Sequence, residues 1–369
     1  MKYYIIAGEA SGDLHGSHLM TSLLQYDQKA EIRFWGGDLM HAQGGTLVKH
    51  YRDLAFMGFW EVFINLITIL KNIAFCKKDI AQFNPDVIIY IDYPGFNMRI
   101  AAWAKEKGYL NHYYISPQIW AWKENRIKKI KRDLDALYVI LPFEQHYFKK
   151  QHNYTVDYVG NPLTTIIKTL RDQNEKSLPK ELITDKPIIA LLPGSRKQEI
   201  DKMMPVFLTV IQHFSQYQFV IAGAPGIDPQ WYQKYTISPA VSLLHNQTYL
   251  LLKNAHAAIV TSGTATLETA LFKVPQMVCY KTSTLSLMIA KMFVKLKFIS
   301  LVNLIMEKEV VRELIQGECT PKNIRKELEN LLDPDRRQTY LNNYQRLEDK
   351  LGQTNASDRV AKKIYAKLI

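Results

Sequence analysis

Short apolar runs alternate with amphipathic segments along the first half of this chain, the alternation stops at one polar stretch, and then it begins again. The first series is YYIIAG from Tyr3, a helix-like segment through His18 to Leu24, EIRFWGG, DVIIYID, HYYIS, ALYVILP and VDYVGNP. Strand and helix repeating at this spacing call for a parallel sheet covered by helices on both faces. The second series is PIIALLPGSR, a helical segment from Met203 to Phe214, QFVIAGAP, AIVTSG, a helix from Thr264, and VPQMVCYK. Between them lies RDQNEKSLPKELITDK, Arg171 to Lys186, with the composition of a linker. The expected architecture is α/β, two Rossmann-like doubly wound domains facing a central cleft. The expected boundaries are residues 1–170, a linker at 171–186, residues 187–335, and charged helices at 336–369 that return to the first domain by fold analogy. At 369 residues the chain has room for two separate cores.

The charge balance narrows the partners. A formal net charge of +12 and a pI near 9.3 favour anions: phosphorylated substrates, nucleic acid or an acidic membrane surface. The densest basic run, KENRIKKIKR from Lys123 to Arg132, carries six Lys or Arg against the single acid Glu124 and reads equally well as a solvated helix face. The other basic residues are spread along the chain, which weighs against a nucleic-acid groove. A nicotinamide-dependent dehydrogenase would need GxGxxG after its first strand, and the first glycine turn lacks that spacing. Cys76, Cys279 and Cys319 are odd in number and never in CxxC spacing, so neither a disulfide framework nor a zinc site is expected. The N-terminal residues enter a strand-like run without a signal-like apolar stretch, and a cytoplasmic protein is expected.

One segment departs from the alternation. FMGFWEVFINLITILKNIAF, Phe56 to Phe75, is apolar around most of a helical wheel, yet Glu61 and Lys71 leave too short a charge-free stretch for the about 20 apolar residues a membrane span needs. It reads either as a buried helix or as one presenting Phe59, Trp60, Phe63, Leu66 and Leu70 to lipid or an acyl chain. A second segment, from Leu285, interleaves apolar residues with Lys291, Lys295 and Lys297 and suits an interface or an ordinary amphipathic helix.

Four motifs carry chemistry. AGEASGDLHG places Gly8, Gly12 and Gly16 where a first strand meets a first helix, so backbone N–H groups can approach an anion; Glu9, Ser11, Asp13 and His15 crowd a turn that needs only small residues. Ser11 or Asp13 as a helix cap is the alternative. DVIIYIDYPGFN ends an apolar strand with Asp92 at the carboxyl edge of the sheet, where ligands bind in open α/β folds. A carboxylate there can take a proton from an attacking hydroxyl, or it can cap the next helix or pair with Arg99. LLPGSRKQEI repeats the arrangement: Gly194 and Ser195 permit close backbone approach, and Arg196 offers a planar fork for phosphate oxygens. TSGTATLETAL opens a helix at Gly263 and Thr264, with Glu268 one turn further on, within reach of ribose hydroxyls. Two such loops in one Rossmann-like half point to a nucleoside-diphosphate pocket.

AGEASGDLHG, IDYPGFN, SPQIWAW, YVGNP, LLPGSR, TSGTATLE, SLVNLI and ELIQGECTP, taken in this order over residues 7 to 321, resemble the lipid-A-disaccharide synthase family. The resemblance implies a GT-B, metal-independent, inverting glycosyltransferase of lipid A and lipopolysaccharide biosynthesis. It would join UDP-2,3-diacylglucosamine to 2,3-diacylglucosamine 1-phosphate at the inner face of the cytoplasmic membrane, where anionic lipid attracts basic side chains at ~1 kcal/mol each. It further implies Asp92 as general base, with Glu9 or His15 as rivals or orienting groups; Ser195, Arg196, Gly263 and Thr264 on the diphosphate; Glu268 on ribose; and Asn303 of SLVNLI on nucleotide or sugar, unless that side chain only forms a turn. Ser11, Gly12, Asp13 and Gly194 belong to the substrate loops. No DxD pair ends a strand in the pocket motifs and no cofactor is expected; the DPD at Asp333 to Asp335 reads as a turn. Another GT-B enzyme or a UDP-sugar epimerase would keep the UDP pocket without the AGEASGDLHG and SPQIWAW loops.

Overall fold

The computed structural model describes residues 1–54, 66–121, 123–173, 177–182, 184–281, 297–352 and 354–369. The chain divides into two compact units, Met1–Pro162 with Gln353–Ile369, and Leu163–Gly352. The polar stretch at 171–186 therefore falls inside the second unit. Of the two terminal helices, Pro334–Leu351 belongs to the second unit and Ala356–Leu368 to the first.

The first unit is built on seven strands: β1 Lys2–Ala7, β2 Glu31–Gly36, β3 Thr46–His50, β4 Val87–Ile91, β5 Asn111–Tyr114, β6 Ala136–Val139 and β7 Asp157–Tyr158, in the order β3-β2-β1-β4-β5-β6-β7. Every pairing is parallel. A parallel sheet is covered on both faces, so its central strands run apolar without alternation. β4, VIIYI, is buried at all five positions. Tyrosine supplies much of the bulk, and buried hydroxyls need partners. Tyr4 donates to Asp79 at 2.7 Å and Tyr90 to the Asn111 side-chain oxygen at 2.9 Å. The last helix seals one face: Val360, Ala361 and Ile364 join Tyr3, Ile5 and Leu19 in one core cluster, and Tyr26 donates to Asp358 at 3.0 Å.

The second unit carries six strands: β8 Ile188–Leu192, β9 Gln218–Gly223, β10 Val241–His245, β11 Ala255–Val260, β12 Gln276–Tyr280 and β13 Glu313–Ile315, ordered β10-β9-β8-β11-β12-β13 and all parallel. The helical segment expected to run to Phe214 ends at Leu208, with Pro205 inside it, and a separate 3-10 turn covers Ile211–His213. Proline removes a donor from the helix ladder and crowds the preceding turn.

Both sheets change direction of travel at their first strand. In the first unit the chain moves outward from β1 to β3, then returns to place β4 on the other side of β1; in the second it does the same at β8 and β11. The crevice outside the carboxyl ends of such a strand pair is where doubly wound sheets bind ligands. β1 and β4 end at Gly8-Glu9 and Asp92, and β8 and β11 end at Gly194-Ser195-Arg196 and Ser262-Gly263-Thr264. All four motifs flank a switch point.

Candidate active site

In the first unit, Asp92 and Tyr93 follow β4 directly and both adopt left-handed backbone, φ 45 and φ 51. Two consecutive non-glycine residues in this region are strained, Tyr more than Asp. The turn is held from three sides. The Asp92 carbonyl accepts the Tyr113 hydroxyl at 2.5 Å and the Asn97 side-chain amide at 2.7 Å. The Tyr93 ring lies over Gly8, where a Cβ would come 2.2 Å from Tyr93 Cδ1, and it stacks on Phe96 at 5.8 Å. Gly8 thus serves the Asp92 turn as much as its own.

The Asp92 side chain is half-buried and caps nothing: the N-cap of the helix Pro94–Glu106 is Tyr93, without a side-chain cap. Burial pushes its carboxyl up to about 6, the neighbouring Glu9 charge adds to the rise, and a hydrogen bond from the Tyr93 backbone opposes it. A paired arginine would push the other way; Arg99 is exposed. The result is a carboxylate still ionised at neutral pH and more basic than an ordinary aspartate, beside a second carboxylate.

The rest of the glycine-rich turn divides its labour. Glu9 is the N-cap of the helix Ala10–Tyr26 in extended conformation, with no side-chain cap, so neither Ser11 nor Asp13 caps that helix. Ser11 is exposed and Gly12 buried. Asp13 is 3% exposed, and its two oxygens accept the backbone N–H groups of Gly37 at 2.7 Å, Leu39 at 3.1 Å and Met40 at 3.0 Å. It ties the loop after β2 to the first helix. His15 is buried beside His18, and burial lowers it to about 4; the imidazole is neutral, and its Nδ1 has no hydrogen-bond partner among the described residues.

In the second unit, Gly194 stands at φ 110, and the helix Lys197–Leu208 begins after Arg196, its extended N-cap. Arg196 is largely exposed. The Ser195 backbone N–H donates to Glu199 Oε2 at 3.2 Å, and Glu199 Oε1 lies 3.6 Å from the Arg196 guanidinium. Gly263 is the N-cap of the helix Thr264–Leu271, without a side-chain cap, and both Gly263 and Thr264 are exposed. Glu268 is half-buried; burial raises its carboxyl, and the Tyr249 hydroxyl, donating at 3.0 Å, partly offsets that.

Asn303 differs from expectation. It is 0% exposed; its amide nitrogen donates to the Val311 carbonyl and to Glu313 Oε1, both at 2.8 Å, and its oxygen accepts the Val310 and Val311 N–H groups at 2.7 and 3.0 Å. With its hydrogen-bonding capacity filled inside the fold, the side chain clips the Glu307–Val311 turn to β13 and offers no group to a ligand.

Sequence reasoning passed over Glu199, Tyr249 and Glu144. Glu199 stands at N3 behind an N-cap, the capping-box offset, a signal that was available. Glu144 is 1% exposed, accepts the Leu141 N–H at 2.9 Å and the Trp120 indole at 3.1 Å, and burial pushes it up to about 7. It anchors the SPQIWAW loop at the carboxyl edge of β6.

Of the apolar residues expected at lipid, Phe59, Trp60 and Phe63 lie outside the described residues, as do residues 285–296 of the second segment. Leu66 opens the helix Leu66–Phe83. On that helix Ile67, Leu70 and Phe75 are 68%, 54% and 47% exposed. With Lys71, Ala74 and Lys78, also exposed, they form one stripe at helical spacing. Among the described residues no helix is long and apolar enough to cross a membrane, and no three His, Cys, Asp or Glu side chains gather as a metal site.

Comparison with known proteins agrees with these motifs. A family model described as lipid-A-disaccharide synthetase matches residues 3–367. The chain is 38% identical over 367 residues to the lipid-A-disaccharide synthase of Syntrophus aciditrophicus, covering 97% of this chain and 95% of that one. It is 36% identical over 366 residues to that of Coxiella burnetii, covering 98% and 97%. Among solved structures, a UDP-GlcNAc 2-epimerase from Neisseria meningitidis bound to UDP-GlcNAc aligns over 99% of both chains with a TM-score of 0.67 at 13% identity. A calicheamicin glycosyltransferase aligns over 100% of this chain and 98% of its own length with a TM-score of 0.60 at 14% identity, so these two speak for the fold alone. Two parallel-sheet Rossmann-like units, motifs at both switch points and a match spanning nearly every residue lead to one assignment: this chain is a GT-B glycosyltransferase of the lipid-A-disaccharide synthase family.

Proposed function

We propose that the chain transfers 2,3-diacylglucosamine from its UDP conjugate to the 6-hydroxyl of 2,3-diacylglucosamine 1-phosphate, with inversion, giving the β(1→6) disaccharide 1-phosphate and UDP. The observation that carries this reading is that a family member holds one site in each unit: a carboxylate of raised basicity at the β1/β4 switch point, and an arginine with two helix N-termini at the β8/β11 switch point.

Asp92 takes the acceptor hydroxyl proton as that oxygen bonds to the anomeric carbon of the donor. The bond from that carbon to the diphosphate oxygen breaks in the same step, and the electron pair leaves with UDP. Glu9 raises the basicity of Asp92 by its charge. Arg196, the amides at Ser195 and the start of the helix Thr264–Leu271 take up the charge developing on the leaving diphosphate, where preorganised donors act most strongly. Glu268, held by Tyr249, accepts from a ribose hydroxyl. The exposed stripe from Ile67 to Lys78 seats the enzyme on the cytoplasmic face of the inner membrane, where both acylated substrates reside, and its lysines, Lys71 and Lys78, meet anionic lipid.

The test is UDP release by purified protein given the donor with and without the acceptor, in detergent, with a chelator present. Release that needs both lipids, survives chelation and yields a disaccharide phosphate is the expected result. UDP binding without release under any of these conditions would leave the fold and remove the substrate assignment.

A further inference from the structure

The nucleotide loop of the second unit already holds an anion, and that anion belongs to the protein. Glu199 reaches back from the first turn of its helix so that Oε2 accepts the Ser195 N–H at 3.2 Å while Oε1 lies 3.6 Å from Arg196. These are two of the donors that the proposed reaction assigns to the diphosphate. The fit is close: Gly194 has no side chain on the side facing Glu199, and a Cβ there would come 2.6 Å from Oε2 and 2.9 Å from the Glu199 Cβ. The glycine, with its left-handed φ of 110, is the residue that lets the carboxylate in. Arg196 is 66% exposed and Glu199 27%, so both side chains border solvent into which the ion pair can open.

We infer that Glu199 is a place-holder for a phosphate group of the nucleotide: its carboxylate occupies the Ser195 amide and engages Arg196 when the site is empty, gives them up when the diphosphate binds, and returns as UDP departs. The inference rests on the nucleotide reading of this unit. Two anions cannot share one N–H donor, and a carboxylate left within a few ångströms of a diphosphate opposes it by charge. Binding therefore includes an exchange of one anion for another. The exchange has two consequences. Ground-state affinity for UDP is held down, and product release is hastened because an internal anion competes for the donors that UDP vacates. The empty loop is also protected from stray phosphate, since a small anion must displace the carboxylate without the help of a uracil and ribose.

The experiment compares wild type with Glu199→Gln and Glu199→Ala, measuring by calorimetry the affinities for UDP, inorganic pyrophosphate and uridine. The KM for donor, the turnover number and inhibition by added UDP are then followed in the same proteins. Glutamine preserves size and one acceptor atom, and a thermal melt of each variant shows that it is folded. The expected result is UDP and pyrophosphate affinity raised on the order of tenfold in both variants, with uridine unchanged, a lower donor KM, stronger inhibition by UDP and slower turnover as release becomes limiting. UDP affinity that falls or stays constant in both variants, with ordinary binding to wild type, would overturn the inference and leave Glu199 as a brace for the loop. Absence of UDP binding in wild type would remove the nucleotide reading itself, and this inference with it.

Discussion

A buried carboxylate costs the fold stability once it is ionised, and that cost can be read from stability against pH. Asp92 has a folded-state value of about 6 against 3.8 in the free residue. Between those values the folded protein holds a proton that the unfolded chain has lost, so stability falls as pH rises through the window, and above about pH 6 the whole penalty is present. At pH 7.5 Asp92→Asn removes about 3 kcal/mol of such penalty, and asparagine tolerates the left-handed backbone. The variant is expected to melt a few degrees higher than wild type while turning over at least ~100-fold more slowly. A melt that stays put or falls would show the charge to be compensated. In wild type the acid limb of kcat/KM falls near pH 6. Glu9→Gln removes the charge that helps to raise Asp92, so the limb moves to lower pH with turnover retained; loss of turnover in that variant would transfer the role of base to Glu9. The position of Asp92 was legible because a polar residue ending an apolar strand is conspicuous. The internal tasks of Asp13 and Asn303 were not, because a side chain that satisfies distant backbone N–H groups and one that meets a ligand look alike in sequence.

An amphipathic helix can be oriented by what anchors its inner face. In the helix Leu66–Phe83 the anchor is Asp79, which accepts the Tyr4 hydroxyl at 2.7 Å and a two-pronged contact from Arg33 at 2.8 and 2.6 Å. That grip, with Cys76 and Ile80 in the core, turns Ile67, Leu70, Lys71 and Lys78 outward. Phe75 is partly exposed and also packs on Trp35 at 6.1 Å, so it is the wrong residue to remove in a test. Ile67→Ser with Leu70→Ser is expected to lower partition onto vesicles of anionic phospholipid at least ~10-fold, since each side chain contributes on the order of 1 kcal/mol or more when covered. The melting temperature should move little, because both side chains are more than half exposed in the isolated protein. Unchanged partition would place the lipid contact elsewhere. At this scale the apolar strands β1, β4, β8 and β9 were legible, since a fully buried parallel strand has little else to be. β3, TLVKH, and β10, VSLLH, mix polar and apolar residues as sheet-edge strands do, and they escaped notice.

The two units repeat one plan with different contents, which predicts a division of labour across the molecule. Each sheet brings two loops together at its switch point. In the first unit those loops hold carboxylates, Glu9 and Asp92, suited to activating a hydroxyl. In the second they hold Arg196 and two helix N-termini, suited to an anion. The repeat was legible because apolar runs restarted after the polar stretch, and the boundaries were not, because a compact unit is defined by contacts between distant segments. The last helix, Ala356–Leu368, shares a core with Tyr3 and Leu19, which no local pattern announces. If donor and acceptor chemistry are divided in this way, UDP affinity depends on residues 163–352 alone. Arg196→Ala is then expected to weaken UDP by about 10- to 100-fold, the worth of a charge-assisted hydrogen bond. Asp92→Asn should leave UDP affinity within a factor of two or so, and the double variant should bind UDP like Arg196→Ala. Calorimetry on the three proteins decides it. Weakening of UDP by Asp92→Asn comparable to that by Arg196→Ala would mean that the nucleotide is held by the first unit as well, and the roles given to the two switch points would have to be redrawn.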